Sequence, residues 1–265
     1  MTTRRFRKPY RIRKKKSIFR NRFFWLTLLI LILLGGAVYL LLFSPYLQIK
    51  QVQISGNQKI KTQELEYLIE QKINKRILTF PTRSIILVNL KNIEKSIVKN
   101  FPLVSQANLE RNLPDGLILK VEERIPIFVW SKDSGPIFYV DKEGIAFEEL
   151  SEGSSLLRIR DQQFRLEVNL GKKVMEKEMV DFAQQTKSEV EKKLGVFPRE
   201  ILILEDRITV LTNKPWQIYL DPKEKAEKQI FNLSLAWEKE IPPEKRGNLE
   251  YIDLRFGNRV YYKYR

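Results

Sequence analysis

Cysteine and histidine are both absent from the 265 residues. Without a thiol there is no cysteine nucleophile, no disulfide and no cysteine-borne lipid anchor. Without an imidazole, Ser-His-Asp triads and the usual zinc sites are excluded as well. A domain outside the cytoplasm must then hold together by packing alone. The sequence also lacks a phosphate-cradling glycine loop, a nucleophile elbow and metal-ligand spacing, so it offers no enzyme chemistry, no cofactor and no small-molecule substrate. Acidic residues are missing from one stretch: residues 1–22 carry eleven Lys or Arg and no Asp or Glu. Downstream, 37 basic residues face 32 acidic ones, so most of the formal net charge of +16 belongs to the tail. The body is near balance, and a nucleic-acid partner is not expected.

What is present begins with an uncharged run of 21 residues, 23–43. As a helix rising about 1.5 Å per residue it spans roughly 30 Å, the thickness of the hydrocarbon core of a bilayer. A cleaved signal peptide has a shorter apolar core and a small-residue cleavage site. Here Ser44-Pro45-Tyr46 follows, so the run reads as an uncleaved anchor. The basic flank on its N-terminal side fixes the tail in the cytoplasm and the body outside. Trp25 and Tyr39, near the two ends, are expected to be interfacial anchors. The basic tail is expected to attract anionic membrane lipid.

Behind the anchor, residues 47–54 largely alternate apolar and polar, as a half-buried strand does, and Ser55-Gly56-Asn57 breaks the pattern. Thr62 is a plausible N-cap for a helix with Leu65, Leu68, Ile69 and Ile73 on one face, and a second helix starts near Asn89 and stops at Pro102. Runs 105–111 and 117–123, joined by a turn containing Pro114-Asp115-Gly116, predict a hairpin. The order β-α-α-β-β is that of a small α+β module with two helices over a three-stranded sheet. From Pro126 short strands are expected at 127–130, 137–140 and 145–147, with turns at 133–135 and 141–144. A long helix over 175–194 closes at Gly195, and strands follow at 200–205, 208–212 and 216–220. Asp221-Pro222-Lys223-Glu224 has the composition of a helix start, and 249–256 with 259–264 around Gly257-Asn258 forms a terminal hairpin.

Several of these segments together resemble a known family. They are Val52-Gln53-Ile54-Ser55-Gly56-Asn57, Phe101-Pro102-Leu103-Val104, Arg111-Asn112-Leu113-Pro114, Val121-Glu122-Glu123-Arg124-Ile125-Pro126, Tyr139-Val140-Asp141 with Gly144, and Tyr251-Ile252-Asp253-Leu254-Arg255. In this order, behind a basic tail and one anchor, they look like the POTRA-type domain and β-domain of the FtsQ/DivIB cell-division proteins. The resemblance implies a tail at 1–22, a transmembrane helix at 23–43, a POTRA-like domain at 44–124 and a β-domain at 125–265. It departs from the family in a longer link at 75–88 and in ending at Arg265, directly after the last strand. It implies a non-enzymatic division scaffold in the plasma (inner) membrane at the septum. Its partners would be small bitopic proteins of the FtsB and FtsL kind, which add a strand to the C-terminal edge. A POTRA-bearing chaperone or transport component of the envelope is the alternative.

The residues themselves support an edge of that kind. Val260, Tyr261, Tyr262 and Tyr264 are good strand formers without an interrupting proline, and Arg259, Lys263 and Arg265 add positive charge. Those cations either favour an acidic partner or guard the edge against aggregation. Tyr251, Asp253 and Arg255 share one face of a period-two strand, where they form either a recognition patch or a plain surface ion pair. Glu122 and Glu123 face opposite sides and cannot both address one bond, so catalysis is not expected there. Arg111, Glu123 and Arg124 are expected to serve docking on the POTRA-like module, with a structural role for Arg124 as the other possibility. The sequon Asn232-Leu233-Ser234 falls on a predicted helix and is discounted.

Overall fold

A computed structural model describes residues 22–265 apart from 78–79, 134, 152 and 165–166. The basic tail through residue 21 and Ser134 of the expected 133–135 turn lie outside the described residues. Helix α1 (Arg22–Phe43) is apolar on all sides and buries none of its residues in the protein. Among the described residues it is the one helix long and apolar enough to cross a membrane. Its early hydroxyl, on Thr27, is satisfied internally by donating to the Phe23 carbonyl at 2.8 Å.

The first folded unit is the expected α+β module. Strand β1 (Gln51–Ser55) pairs in parallel with β5 (Gly116–Glu123), and β5 pairs antiparallel with β4 (Val104–Asn112), giving the order β1-β5-β4. Helices α2 (Thr62–Ile73) and α3 (Leu90–Asn100) cover this sheet. Leu65, Ile69 and Ile73 of α2 and Ile93 and Ile97 of α3 meet Leu117, Leu119 and Val121 of β5 in one buried cluster. Asn89 caps α3, accepting the Asn92 N–H at 3.1 Å as its sequence position predicts.

Two local expectations here are corrected, and one open stretch is filled in. The strand begins at Gln51, not at residue 47, because Pro45 opens a short 3₁₀ turn (Pro45–Leu47) and Gln48 turns its side chain back to the end of α1. Thr62 is the first helical residue rather than the cap, since its hydroxyl already accepts from Asn57 Nδ2 at 3.0 Å. The link at 75–88 contains a further hairpin, β2 (Lys75–Ile77) with β3 (Phe80–Thr82).

The second unit is a ten-stranded mixed sheet. Its strands are β6 (Phe128–Lys132), β7 (Ile137–Val140), β8 (Ile145–Glu149), β9 (Arg158–Asp161), β10 (Lys172–Lys173), β11 (Pro198–Ile203), β12 (Ile208–Thr212), β13 (Gln217–Leu220), β14 (Leu249–Phe256) and β15 (Arg259–Tyr264). In space they run β10-β8-β7-β6-β9-β11-β12-β13-β14-β15. Helices α4 (Lys177–Leu194) and α5 (Ala226–Lys239) pack together, and their apolar residues join the sheet's in one buried cluster. Gly195 ends α4 in the left-handed region at φ 65°.

Strand β9 is absent from the sequence reading, yet it sits in mid-sheet between β6 and β11, parallel to both. Only Ile159 is apolar and buried, while Arg160 reaches Glu200 at 2.7 Å, so the segment has the composition of a loop. Asp221 does not start a helix. Its carboxylate caps a tight turn by accepting from Lys223 N–H at 2.9 Å, and α5 begins at Ala226.

The two units meet at Arg124. Its side chain is 7% exposed and pairs with the 6% exposed carboxylate of Asp141, while its Nε donates to the Pro102 carbonyl at 3.0 Å. Asp141 in turn holds its own turn with its second oxygen, accepting from Glu143 and Ile145 N–H groups at 3.0 and 2.9 Å. Gly144 completes this turn at φ 78°, where a Cβ would stand 1.9 Å from the Met175 carbonyl oxygen.

Candidate partner-binding edge

The two ends of the ten-stranded sheet are built differently. At one end β10 has two residues, both lysine, a short charged border that resists pairing. At the other end β15 has six residues and no proline, and among the described residues no strand lies beyond it. β15 is held on its inner side by β14 through a turn with Gly257 at φ 69°, and at its end Arg265 N–H donates to the Asn248 carbonyl at 2.9 Å. Peptide groups of a strand alternate sides, so those of Lys263 and Tyr261 point inward with Arg265. Those of Val260, Tyr262 and Tyr264 point outward.

Side chains alternate on the perpendicular axis. Val260, Tyr262 and Tyr264 are half-buried against the core, whereas Arg259, Tyr261 and Lys263 are exposed. The pairs Tyr251 with Lys263 and Asp253 with Tyr261 lie opposite each other, which puts these residues on one open face of the sheet. Beyond the outer border, α5 and β15 enclose a groove of about 420 Å³ that includes Leu235, Ala236, Val260 and Tyr261.

The structure brings Tyr251, Asp253 and Arg255 together. Tyr251 stacks on Tyr219 with centroids 5.2 Å apart, and the Arg255 guanidinium lies 5.7 Å from the same ring. Arg255 makes a two-pronged contact with Asp253 at 3.0 and 2.8 Å and reaches Asp206 at 3.2 Å. The side-chain bond to Asp253 raises the Arg255 pKa, so the cation is fixed across all practical pH. Asp253 is itself only 6% exposed, so the pair is more enclosed than a surface ion pair. Lys263 bonds Glu250 at 2.7 Å, which raises its pKa. Tyr219 and Arg207, whose guanidinium lies 4.8 Å from the Tyr219 ring, complete the face. The sequence reading missed both, although the alternation in β13 puts Tyr219 opposite the buried Ile218 and Leu220.

The residues expected to dock on the first unit are engaged by the chain itself. Arg111 donates to the carbonyls of Ile85 and Val88 at 2.7 and 2.8 Å. Glu123 accepts the backbone N–H groups of Gln58, Lys59 and Ile60 at 2.8 to 3.0 Å. Burial pushes the Glu123 carboxyl up, but those three bonds outweigh it and its pKa is lowered. Arg124 is the latch between the two units. Trp25 and Tyr39 stand near the two ends of α1, each beside an aromatic neighbour, Phe24 and Phe43 respectively.

The architecture is that of a single-pass membrane protein, with a small α+β module and a mixed sheet behind one apolar helix. The family description "POTRA domain, FtsQ-type" matches residues 47–124. The cell division protein DivIB of Clostridium tetani is 24% identical over 87% of this chain and 84% of its own length. FtsQ of Allochromatium vinosum is 36% identical over 46% of this chain and 45% of its own, and FtsQ of Syntrophotalea carbinolica is 28% identical over 43% and 36%. The chain carries an FtsQ-type POTRA domain and is similar over most of its length to a DivIB cell division protein.

Proposed function

We propose that this protein is a non-enzymatic scaffold of the division machinery, anchored by α1 with its body outside the cytoplasm. It binds a small bitopic division protein of the FtsB or FtsL kind and links it to septal wall synthesis. The partner adds a strand to β15: its backbone pairs with the outward peptide groups of Val260, Tyr262 and Tyr264. Its side chains alternate between the groove beside Leu235 and the face of Tyr251, Tyr261 and Lys263. Arg255, held by Asp253, keeps that face rigid, and Arg259 and Lys263 favour an acidic segment.

The observation that supports this most is the contrast between the sheet's two borders. A six-residue strand with three tyrosines and no proline is left as an edge, while the outermost strand at the opposite end has only two residues, both lysine. Were the cations of β15 mere guards, the same economy would be expected at both ends. Deleting residues 259–265 should abolish capture of an FtsB-type partner while the first unit stays folded, and a fluorescent fusion should concentrate at midcell. Undiminished capture by the deletion variant would rule out this mode of docking.

A further inference from the structure

The end of α1 is finished by residues about forty positions further along the chain. The Leu41 carbonyl accepts the Ser84 hydroxyl at 2.9 Å, and the Leu42 carbonyl accepts the Thr82 hydroxyl at 2.6 Å and Gln48 Nε2 at 3.0 Å. These carbonyls belong to the last helical turn, which has no partners of its own. Backbone bonds from Ile49 N to the Arg83 carbonyl and from Ile85 N to the Leu47 carbonyl continue the seam at 3.1 and 2.9 Å. The β2–β3 hairpin is therefore fixed to the helix end by directional bonds and cannot swing away from it freely.

That fixes the hairpin's depth. A helix from Arg22 to Phe43 uses roughly 33 Å of rise, which brings Phe43 to the boundary between hydrocarbon and headgroups. The Phe80 ring lies 6.0 Å from the Phe43 ring, edge-on, and is 62% exposed to its other surroundings. Tyr46, two residues past the serine that follows α1, is 78% exposed. Aromatic rings at this depth belong to the interface. Beside them a pocket of about 530 Å³ is lined by Gln48, Asn74, Arg76, Pro81, Thr82 and Arg83, two guanidinium residues and no carboxylate. Arg83 is oriented by its Nε bond to Asn74 at 2.6 Å.

We infer that this pocket binds the phosphate headgroup of an anionic phospholipid of the outer leaflet, with Phe80 and Tyr46 seated at the acyl boundary beneath it. Guanidinium groups match phosphate geometry through paired N–H donors. The inference rests on α1 spanning the bilayer, and it differs from attraction of the cytoplasmic tail to lipid because it lies on the opposite side of the membrane.

The lack of cysteine makes the test clean. Phe80→Cys, Leu34→Cys and Lys239→Cys, each in the full chain, are labelled with an environment-sensitive NBD fluorophore. Each is reconstituted in phosphatidylcholine vesicles carrying phosphatidylglycerol, with bromines on the acyl chains of one lipid or the other. The label at position 80 should be quenched, and more strongly by brominated phosphatidylglycerol. Removing one cation with Arg76→Gln should reduce that preference about fivefold, the effect of one basic side chain at an anionic surface. Arg76→Lys, which keeps the charge but loses the paired donors, should give a smaller reduction than Arg76→Gln. Equal quenching by both lipids, or a label at 80 left in water while the one at 34 is quenched, would overturn the headgroup site and leave the span intact. An unquenched label at 34 would instead break the spanning reading on which it rests, and position 239 should stay unquenched throughout.

Discussion

Val260→Pro tests strand addition at the level of a single hydrogen bond. Val260 points its peptide group away from β14, so a proline there removes a donor from the free border without taking a bond from the hairpin. Its half-buried side chain is small enough that the lost packing is reproduced by Val260→Ala, which serves as the reference. Three outward residues offer about six backbone bonds to an incoming strand, each worth about 1 kcal/mol net. Deleting one donor also leaves the facing carbonyl of the partner unsatisfied, which costs about 1–3 kcal/mol and weakens binding roughly five- to a hundredfold. The assay is a titration of an FtsB-type ectodomain against the full chain in nanodiscs. Equal Kd values for the proline and alanine variants would refute the pairing argument, since main-chain bonds would then contribute nothing at this position.

Other expectations follow from the interior. Arg124→Ala leaves the Asp141 carboxylate enclosed and without its cation, so urea unfolding should show a loss of about 3–5 kcal/mol, smaller when Asp141→Asn is added. Gly144→Ala forces a Cβ against the Met175 carbonyl at positive φ and should cost at least ~2 kcal/mol in the same assay. Glu123→Gln should cost about 1 kcal/mol at neutral pH. Because the folded pKa of Glu123 is lowered from 4.5, that gap should be complete above pH 4.5 and should close as pH falls through the folded value. Tyr219→Ala removes the ring under Tyr251 and Arg255 and should weaken partner capture while costing about 1–2 kcal/mol of stability.

Segments with a clear period were legible in the sequence. The terminal hairpin, α3 with its Asn89 cap, and the β4–β5 pair were placed within a residue or two, because each combines apolar alternation or helical spacing with turn chemistry at its ends. Strand β9 was not legible, since a single buried isoleucine between two arginines carries no period, and its pairing depends on β6 and β11 from distant parts of the chain. The start of α5 failed for a different reason. Asp221 and Glu224 do form a turn, but Gln229 fills it, accepting from the Asp221 N–H at 2.9 Å and donating to the carbonyls of Asp221 and Glu224. A buried glutamine satisfying three backbone groups leaves no signal in the local pattern. At the candidate site, Tyr251, Asp253 and Arg255 were recognisable as one face. The ring that gathers them, Tyr219, comes from a strand some thirty residues earlier that becomes their neighbour only through the parallel β13–β14 pairing.

The polar joints explain how a border far along the chain is held relative to α1. Apolar burial accounts for the two cores separately, because the buried clusters around β5 and around α4 and α5 share no residues. Directional contacts join them: Arg124 ties the end of β5 to the Asp141 turn, and Lys59 pairs with Glu148 at 2.8 Å. Within the first unit, Thr82 and Ser84 hold the end of α1, and Arg111 ties the carbonyls of Ile85 and Val88 to β4. Hydrogen bonds to buried carbonyls and carboxylates depend on angle as well as distance, so they fix orientation in a way that burial of oily surface does not. Each core should therefore survive the loss of one joint, while the placement of β15 relative to the bilayer should not. Under the proposed function, strand addition by a partner anchored in the same membrane depends on that placement, because pairing requires both strands to arrive at the same height and in register.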